Sequence, residues 1–238
     1  MQSSSPLNEV IDLLHGLRAE FNGALLSEVT KLKHTAVMKS DSSYVTQGDL
    51  LVQQTIARLA EGLSCSPRIV SEEMELTAAS NLTDGITLVV DPLDGTENFA
   101  SGLPLWGVSV SCYEDGVHLT SLIGCPELGA WLQTGDVSAP LFSSRVRGLS
   151  SSLDKAQLAQ ATDGFEYRIF GCCVFNMLSV IRGSLCSFEN PKGAWPWDIL
   201  AGLNLALEAG LQVVVENKQY AGEYLAPDRR YRFKVEQR

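Results

Sequence analysis

The amino-acid sequence predicts an α+β protein. A helical stripe occupies the N-terminus, an alternating meander fills the middle, and strand and helix patterns interchange after about residue 149. No internal repeat and no long linker divides the 238 residues. The expectation is one domain, 1–238, with an N-terminal α+β lobe of about 1–148 and a C-terminal α/β lobe of about 149–238.

Each element has a local reason. Ser5-Pro6 supplies an N-cap and a first helical proline. Leu7, Val10, Ile11, Leu14, Leu17, Phe21, Leu25, Val29 and Leu32 then recur at helical spacing, giving one long helix with one buried stripe. Residues 33–45 are polar and turn-rich and read as a loop with a short hairpin. Thr46-Gln-Gly-Asp49 has the form of a capping box, with Asp in place of Glu or Gln, and starts a helix to about Leu63. Arg68-Ile-Val-Ser71 is a short strand presenting Glu72 and Glu73, and a second strand covers 86–91. A helical turn is expected near Thr96. The runs around Asp115-Gly116 form a hairpin, with a third strand at 130–134 and a short one at Leu141-Phe142. Beyond a Ser-rich stretch come a helix at 153–160, a strand at 165–170, a helix at 173–182 and a strand at 184–188. A helix at 197–209 closed by Gly210 and strands at 212–216 and 231–235 complete the pattern.

Composition narrows the class. Apolar residues make up 45% and charged residues 19%, which excludes disorder as the default. The net charge of −10 argues against nucleic acid as a partner. The six cysteines form no CxxC pair and read as buried free thiols. A polar N-terminus without a signal peptide, and no run long enough to span a membrane, give a cytoplasmic expectation with no membrane partner.

The chemistry concentrates in Asp91-Pro-Leu-Asp-Gly-Thr-Glu-Asn-Phe99, where an apolar strand ends in two carboxylates. Two anions so close repel unless a cation or proton lies between them. Further acids stand at Glu72-Glu73, at Asp49, and at Asp198 in Trp197-Asp-Ile-Leu-Ala-Gly202. Oxygen ligands without a His or thiolate cluster select a hard cation such as Mg²⁺ over zinc. Gly95 and Thr96 then read as a close-approach residue and a hydroxyl at a helix start, where phosphate oxygens are favoured.

In order and spacing, Ser-Glu72-Glu73, the Asp91–Phe99 run and Trp197–Gly202 resemble the three signatures of the inositol monophosphatase family, over about Lys39 to Gly210. The resemblance implies a layered αβαβα sandwich of the inositol monophosphatase and sugar phosphatase type, usually a homodimer, with lithium-sensitive hydrolysis of phosphate monoesters. It implies two or three Mg²⁺ ions: the first on Glu72, Asp91 and the Leu93 carbonyl, the second on Asp91, Asp94 and Asp198, and a weaker third on Glu72. Thr96 with Glu72 and the metal would orient and deprotonate the attacking water, Asp49 would support the third metal or the water, and no covalent enzyme intermediate would form. The substrate, a small phosphorylated metabolite, would be bound by Asp94, Gly95, Thr96, Gly171, Cys172, Cys173, Glu189 and Asp198.

Departures from the family pattern fall on the substrate side. Cys172 and Cys173 fill the Ser and Ala of a common Gly-Ser-Ala, Asn176 stands where an Asp is common, and the run from Asn190 to Trp197 is about two residues longer than usual. Lys39 is shifted by one residue, and the C-terminal segment is reduced. An inositol or sugar phosphate is the expected substrate. A nucleotide 3′-phosphate or histidinol phosphate are alternatives within the family, and a non-catalytic regulatory member is the alternative of another class. A phospho-aspartate mechanism needs Asp-x-Asp, whereas the spacing here is Asp-x-x-Asp.

Overall fold

The computed structural model describes residues 5–40, 43–77, 83–136, 140–153 and 164–238. In chain order the helices are α1 (Pro6–Glu20), α2 (Leu26–Thr30), α3 (Gln47–Glu61), α4 (Thr96–Ala100), α5 (Cys173–Ile181) and α6 (Pro196–Glu208). The strands are β1 (Val37–Met38), β2 (Tyr44–Val45), β3 (Arg68–Ser71), β4 (Ile86–Asp94), β5 (Gly107–Glu114), β6 (Val117–Cys125), β7 (Ala130–Gln133), β8 (Val146–Leu149), β9 (Glu166–Ile169), β10 (Ser187–Ala194), β11 (Gln212–Val215), β12 (Lys218–Gln219) and β13 (Tyr231–Glu236).

Among the described residues four layers stack in the order helix, sheet, helix, sheet. The first sheet runs β3-β4-β5-β6-β7, parallel only between β3 and β4, and the second runs β12-β11-β13-β10-β8-β9. Helices α1 and α3 cover the outer face of the first sheet, where Val10, Leu14, Leu17, Ile56, Leu88 and Val90 share one core. Helices α5 and α6 lie between the sheets, where Val89, Ile123, Met177, Leu203, Phe188 and Val235 share another. Alternation along β4 makes this division: Leu88 and Val90 face one core and Val89 the other. The expected helix at 153–160 falls mostly outside the described residues.

The N-terminal stripe is interrupted by a π-helical turn at Phe21–Leu25 between α1 and α2, with Gly23 at φ −92°, ψ −125°. Successive steps of four residues, Leu17 to Phe21 to Leu25 to Val29, overrun an α-helical turn by about 40° each. The wider turn absorbs that drift, and these side chains stay buried.

Besides the interrupted N-terminal helix, two expectations differ from what is observed, and one strand, β8, was not expected. Leu141 and Phe142 are not a strand; both amides donate to the Arg182 carbonyl and both side chains are exposed. The strand expected at 184–188 is instead β10, because Gly183 at φ +84° keeps the chain turning through 184–186. Strand β8 carries no apolar alternation, only Val-Arg-Gly-Leu, and its signal is hidden by the Ser-rich stretch that follows. The Asp115-Gly116 turn matches expectation, with both residues at positive φ, 50° and 79°.

Candidate metal centre and substrate cavity

An irregularity in β4 assembles the site. Three residues apart on a regular strand, Asp91 and Asp94 would point to opposite faces. Here Asp91 pairs with Ser109 and Asp94 with Gly107, so three steps on β4 match two on β5. That bulge, at Pro92-Leu93, carries one extra residue and returns both carboxylates to one face. This face looks toward the central helices, since the Ser109 hydroxyl donates to the Trp197 carbonyl at 2.8 Å.

Asp198, in the first turn of α6, meets this face, and β3 ends beside it at Glu72. Ligand oxygens of Glu72, Asp91 and Asp198 all lie within 4.8 Å of one another. Asp91 is 1% exposed; its Oδ1 accepts from the Leu93 amide at 3.0 Å, whereas its buried Oδ2 has no hydrogen-bond partner among the described residues. Burial, then the neighbouring charges of Glu72, Asp94 and Asp198, hold the Asp91 carboxyl well above the usual carboxylate range. Asp198 is raised in the same direction by burial, Glu72 and Asp94, although the Trp195 amide donates to it at 3.0 Å. Burial lifts Glu72 to about 7, against the ammonium of Lys39, which bonds Glu72 at 3.3 Å and Glu73 at 2.7 Å.

Asp94 differs because the protein itself bonds it. Its Oδ2 accepts from the Val174 amide at 2.6 Å and the Cys172 thiol at 2.9 Å, at the start of α5. Burial still pushes it up to about 6, the thiol and amides opposing. The close packing here needs two glycines. A Cβ on Gly95, at φ +83°, would lie 3.0 Å from the Cys172 Cβ, and one on Gly107 would lie 2.4 Å from a Val174 methyl.

Asp49 reaches the site from the opposite side. The capping box forms: Thr46 Oγ1 accepts from the Gly48 and Asp49 amides, and Asp49 Oδ2 accepts from the Thr46 amide at 2.7 Å. Its other oxygen, Oδ1, lies 3.2 Å from the Thr96 hydroxyl, which is also 3.0 Å from the Leu93 carbonyl. One residue therefore caps α3 and meets Thr96 beside the carboxylate cluster.

The carboxylates line a cavity of about 260 Å³ together with Leu93, Gly95 and Thr96. A second cavity of about 170 Å³ adjoins it, sharing Asp94 and Asp198, and is lined by Gly171, Cys172, Cys173 and residues 150–152. Asn98, in α4, donates to the Leu105 carbonyl at 2.7 Å and the Phe170 carbonyl at 2.6 Å, holding the segment before Gly171 against α4. Glu189 stands apart. It lines a different cavity with Pro191 and Arg232, because alternation on β10 sends Phe188 and Asn190 into the second cavity and Glu189 to the opposite face. Arg230, which lines both site cavities, was not anticipated; an Asp-Arg-Arg run gives no periodic or motif signal.

An all-oxygen set of converging carboxylates, one with an orphaned buried oxygen, fits hard divalent cations such as Mg²⁺. The cysteines are free, and none supplies a ligand atom to the Glu72, Asp91 and Asp198 group. No helix among the described residues is long and apolar enough to cross a membrane.

A sequence profile of the inositol monophosphatase family matches residues 7–235. Inositol monophosphatase 2 of Solanum lycopersicum is 29% identical over 192 residues, which cover 70% of this chain and 72% of that protein. Among solved structures, the LiCl-soaked inhibitory complex of Staphylococcal inositol monophosphatase-1 has a TM-score of 0.79 at 17% identity, covering 98% of this chain and 91% of that one. An IMPase/NADP phosphatase complexed with Mg²⁺ and phosphate has a TM-score of 0.78 at 16% identity, covering 97% and 91%.

Proposed function

The chain belongs to the inositol monophosphatase family of phosphoric monoester hydrolases, and we propose that it performs Mg²⁺-dependent hydrolysis of an inositol or sugar phosphate by direct attack of water. The observation that carries this reading is the buried, unpartnered Oδ2 of Asp91 beside the oxygens of Glu72 and Asp198. Such a cluster repels itself at neutral pH unless cations join it.

Glu72, Asp91 and the Leu93 carbonyl would hold one ion, Asp91, Asp94 and Asp198 a second, and Glu72 would contribute to a third. When bound, the ions supply charge neutralisation for the phosphoryl group and acidify water. The chain's own residues then set the proton path. Thr96 can donate its single hydroxyl proton to Asp49 Oδ1, which leaves its lone pairs free to accept one from the attacking water. Asp49 suits that role because the Thr46 amide and hydroxyl already occupy its other oxygen. Burial raises the Asp49 carboxyl, which makes it a better resting place for the proton. The Gly95 and Thr96 amides bind phosphate oxygens, and Gly171, Cys172 and Cys173 border the space left for the alcohol. The working unit is read as a cytoplasmic homodimer.

A panel of esters tests this reading: inositol 1-phosphate, a hexose phosphate, a nucleotide 3′-phosphate and histidinol phosphate, each with Mg²⁺, with and without lithium. Turnover that requires Mg²⁺ and falls with lithium is expected. Activity persisting in EDTA, or a phospho-aspartate trapped at Asp91, overturns the mechanism. Hydrolysis of none of the panel favours a regulatory member of the family.

A further inference from the structure

Arg230 is a cation that the proposed hydrolysis does not use. It lines both the carboxylate cavity and the adjoining one, and no other Lys or Arg among the described residues lines either. Its guanidinium lies over the Trp195 ring, 5.5 Å from the centroid, and Trp195 is itself stacked on Trp197 at 5.1 Å and 17°. An arginine laid on an aromatic face keeps its in-plane N–H donors open. Among the described residues the Arg230 guanidinium makes no hydrogen bond and no ion pair within 4 Å. Its neighbours are engaged elsewhere: Arg229 lies over Tyr231 at 4.6 Å, and Arg232 bonds Glu216 at 2.9 Å.

Away from its shared edge the adjoining cavity is uncharged, with serine hydroxyls and the Asn176 and Asn190 amides set among Leu149, Phe188 and Ala194. The Ser150 and Ser152 hydroxyls lie 2.8 Å apart, and Ser152 donates to Asn190 Oδ1 at 3.3 Å. The serine and asparagine part of this wall accepts alcohol hydroxyls. Arg230, whose charge also steadies the Asp198 carboxylate, is the one cation at the boundary between the carboxylate cavity and the alcohol side of the ester among the described residues. We propose that Arg230 binds a carboxylate carried by the alcohol portion of the substrate, so that the preferred esters are small phosphorylated hydroxy acids. This rests on the phosphatase reading above and narrows it.

Two features favour a carboxylate over a second phosphate. A single guanidinium holds either group through two parallel N–H donors, but its one charge neutralises a monoanion and leaves a phosphate dianion uncompensated. The cavity is small, about 170 Å³, and Asp94 and Asp198 on its shared edge repel a dianion more strongly than a monoanion.

The test compares 3-phosphoglycerate with glycerol 3-phosphate, which differ only in a carboxylate for a hydroxymethyl group, using the Mg²⁺-loaded wild type, Arg230→Gln and Arg229→Gln. The wild type should favour the carboxylated ester in kcat/KM. Arg230→Gln should lower that ester's value about 10–100-fold, the range for deleting a charged hydrogen-bond partner, and leave the ester without a carboxylate within about threefold. Arg229→Gln should keep the wild-type preference. Equal losses on both esters, or no preference in the wild type, overturn the proposal; the first would place Arg230 on the transferred phosphate. A wild-type preference for glycerol 1,3-bisphosphate over 3-phosphoglycerate overturns the carboxylate in favour of a second phosphate. Should the wild type turn over no ester, the phosphatase reading itself fails. Thermal stabilisation by glycerate over glycerol, lost in Arg230→Gln, would then support the pocket alone, and its absence would end both.

Discussion

Asp49 and Asp91 are equally hidden, each 1% exposed, yet they are opposites in how they are satisfied. Asp49 sits at the start of α3 with both oxygens engaged by Thr46 and Thr96. Asp91 has one amide for one oxygen and nothing for the other, with further carboxylates converging on it. Burial alone therefore says little about role. What distinguishes a carboxylate that organises the backbone from one that awaits a cation is whether the protein completes its coordination.

The comparison is best broken at Asp91. Asp91→Asn should cost more activity than the roughly 10–100-fold lost on removing an outer partner of a metal site. Without divalent ions the variant should melt at a higher temperature than wild type, because one member of a repelling cluster is gone. Melting followed with and without Mg²⁺ checks both halves: the wild type should be stabilised by the ion and the variant should not. A variant that melts lower without the ion would refute the electrostatic account.

Next in size, Thr96→Val should lower kcat by about 10–100-fold with little change in KM, since it removes the relay while the carboxylates stay in place. Asp49→Asn should do the same and retain Mg²⁺ stabilisation close to wild type. Loss of that stabilisation would mean that Asp49 binds the ion directly.

A smaller effect is expected in the pH dependence of the ion-free protein. Glu72 and Asp94 have folded values of about 7 and about 6, above their unfolded values. The folded state therefore binds protons more tightly, and this contribution to stability is present at low pH and lost as pH rises. The ion-free melting temperature should fall between about pH 4.5 and 7.5, and Mg²⁺ should abolish that slope. A flat profile without the ion would contradict the directions assigned to the cluster.

The smallest change is expected for Cys172→Ser, which keeps a donor to Asp94; steady-state rates should stay within about threefold of wild type. A larger loss would show that volume at this position, rather than the hydrogen bond, matters for the site.

Much of this site was legible in the residues. The carboxylates converge because they stand at strand ends and helix starts, positions that periodicity locates. The capping box announced itself in Thr46 and Asp49, although its reach to Thr96 depends on how α3 packs against β4. The bulge was not legible: Pro92 hints at a broken ladder, but only pairing with β5 shows that Asp91 and Asp94 share a face. The family resemblance carried Glu189 into the substrate site, and the alternation of β10 turns it away. Arg230 was silent because its significance comes from Trp195, 35 positions earlier in the chain. The fold class followed from patterns within each element, and what escaped were relations between elements.

The bond from the Val174 amide to Asp94 joins residues 80 positions apart, the first sheet to the second half of the chain. A carboxylate that anchors a helix would, on ligating an ion as proposed, make that amide a reporter. Its deuterium uptake should slow when the ion arrives, so occupancy of the site can be timed at a backbone nitrogen that touches neither ion nor substrate.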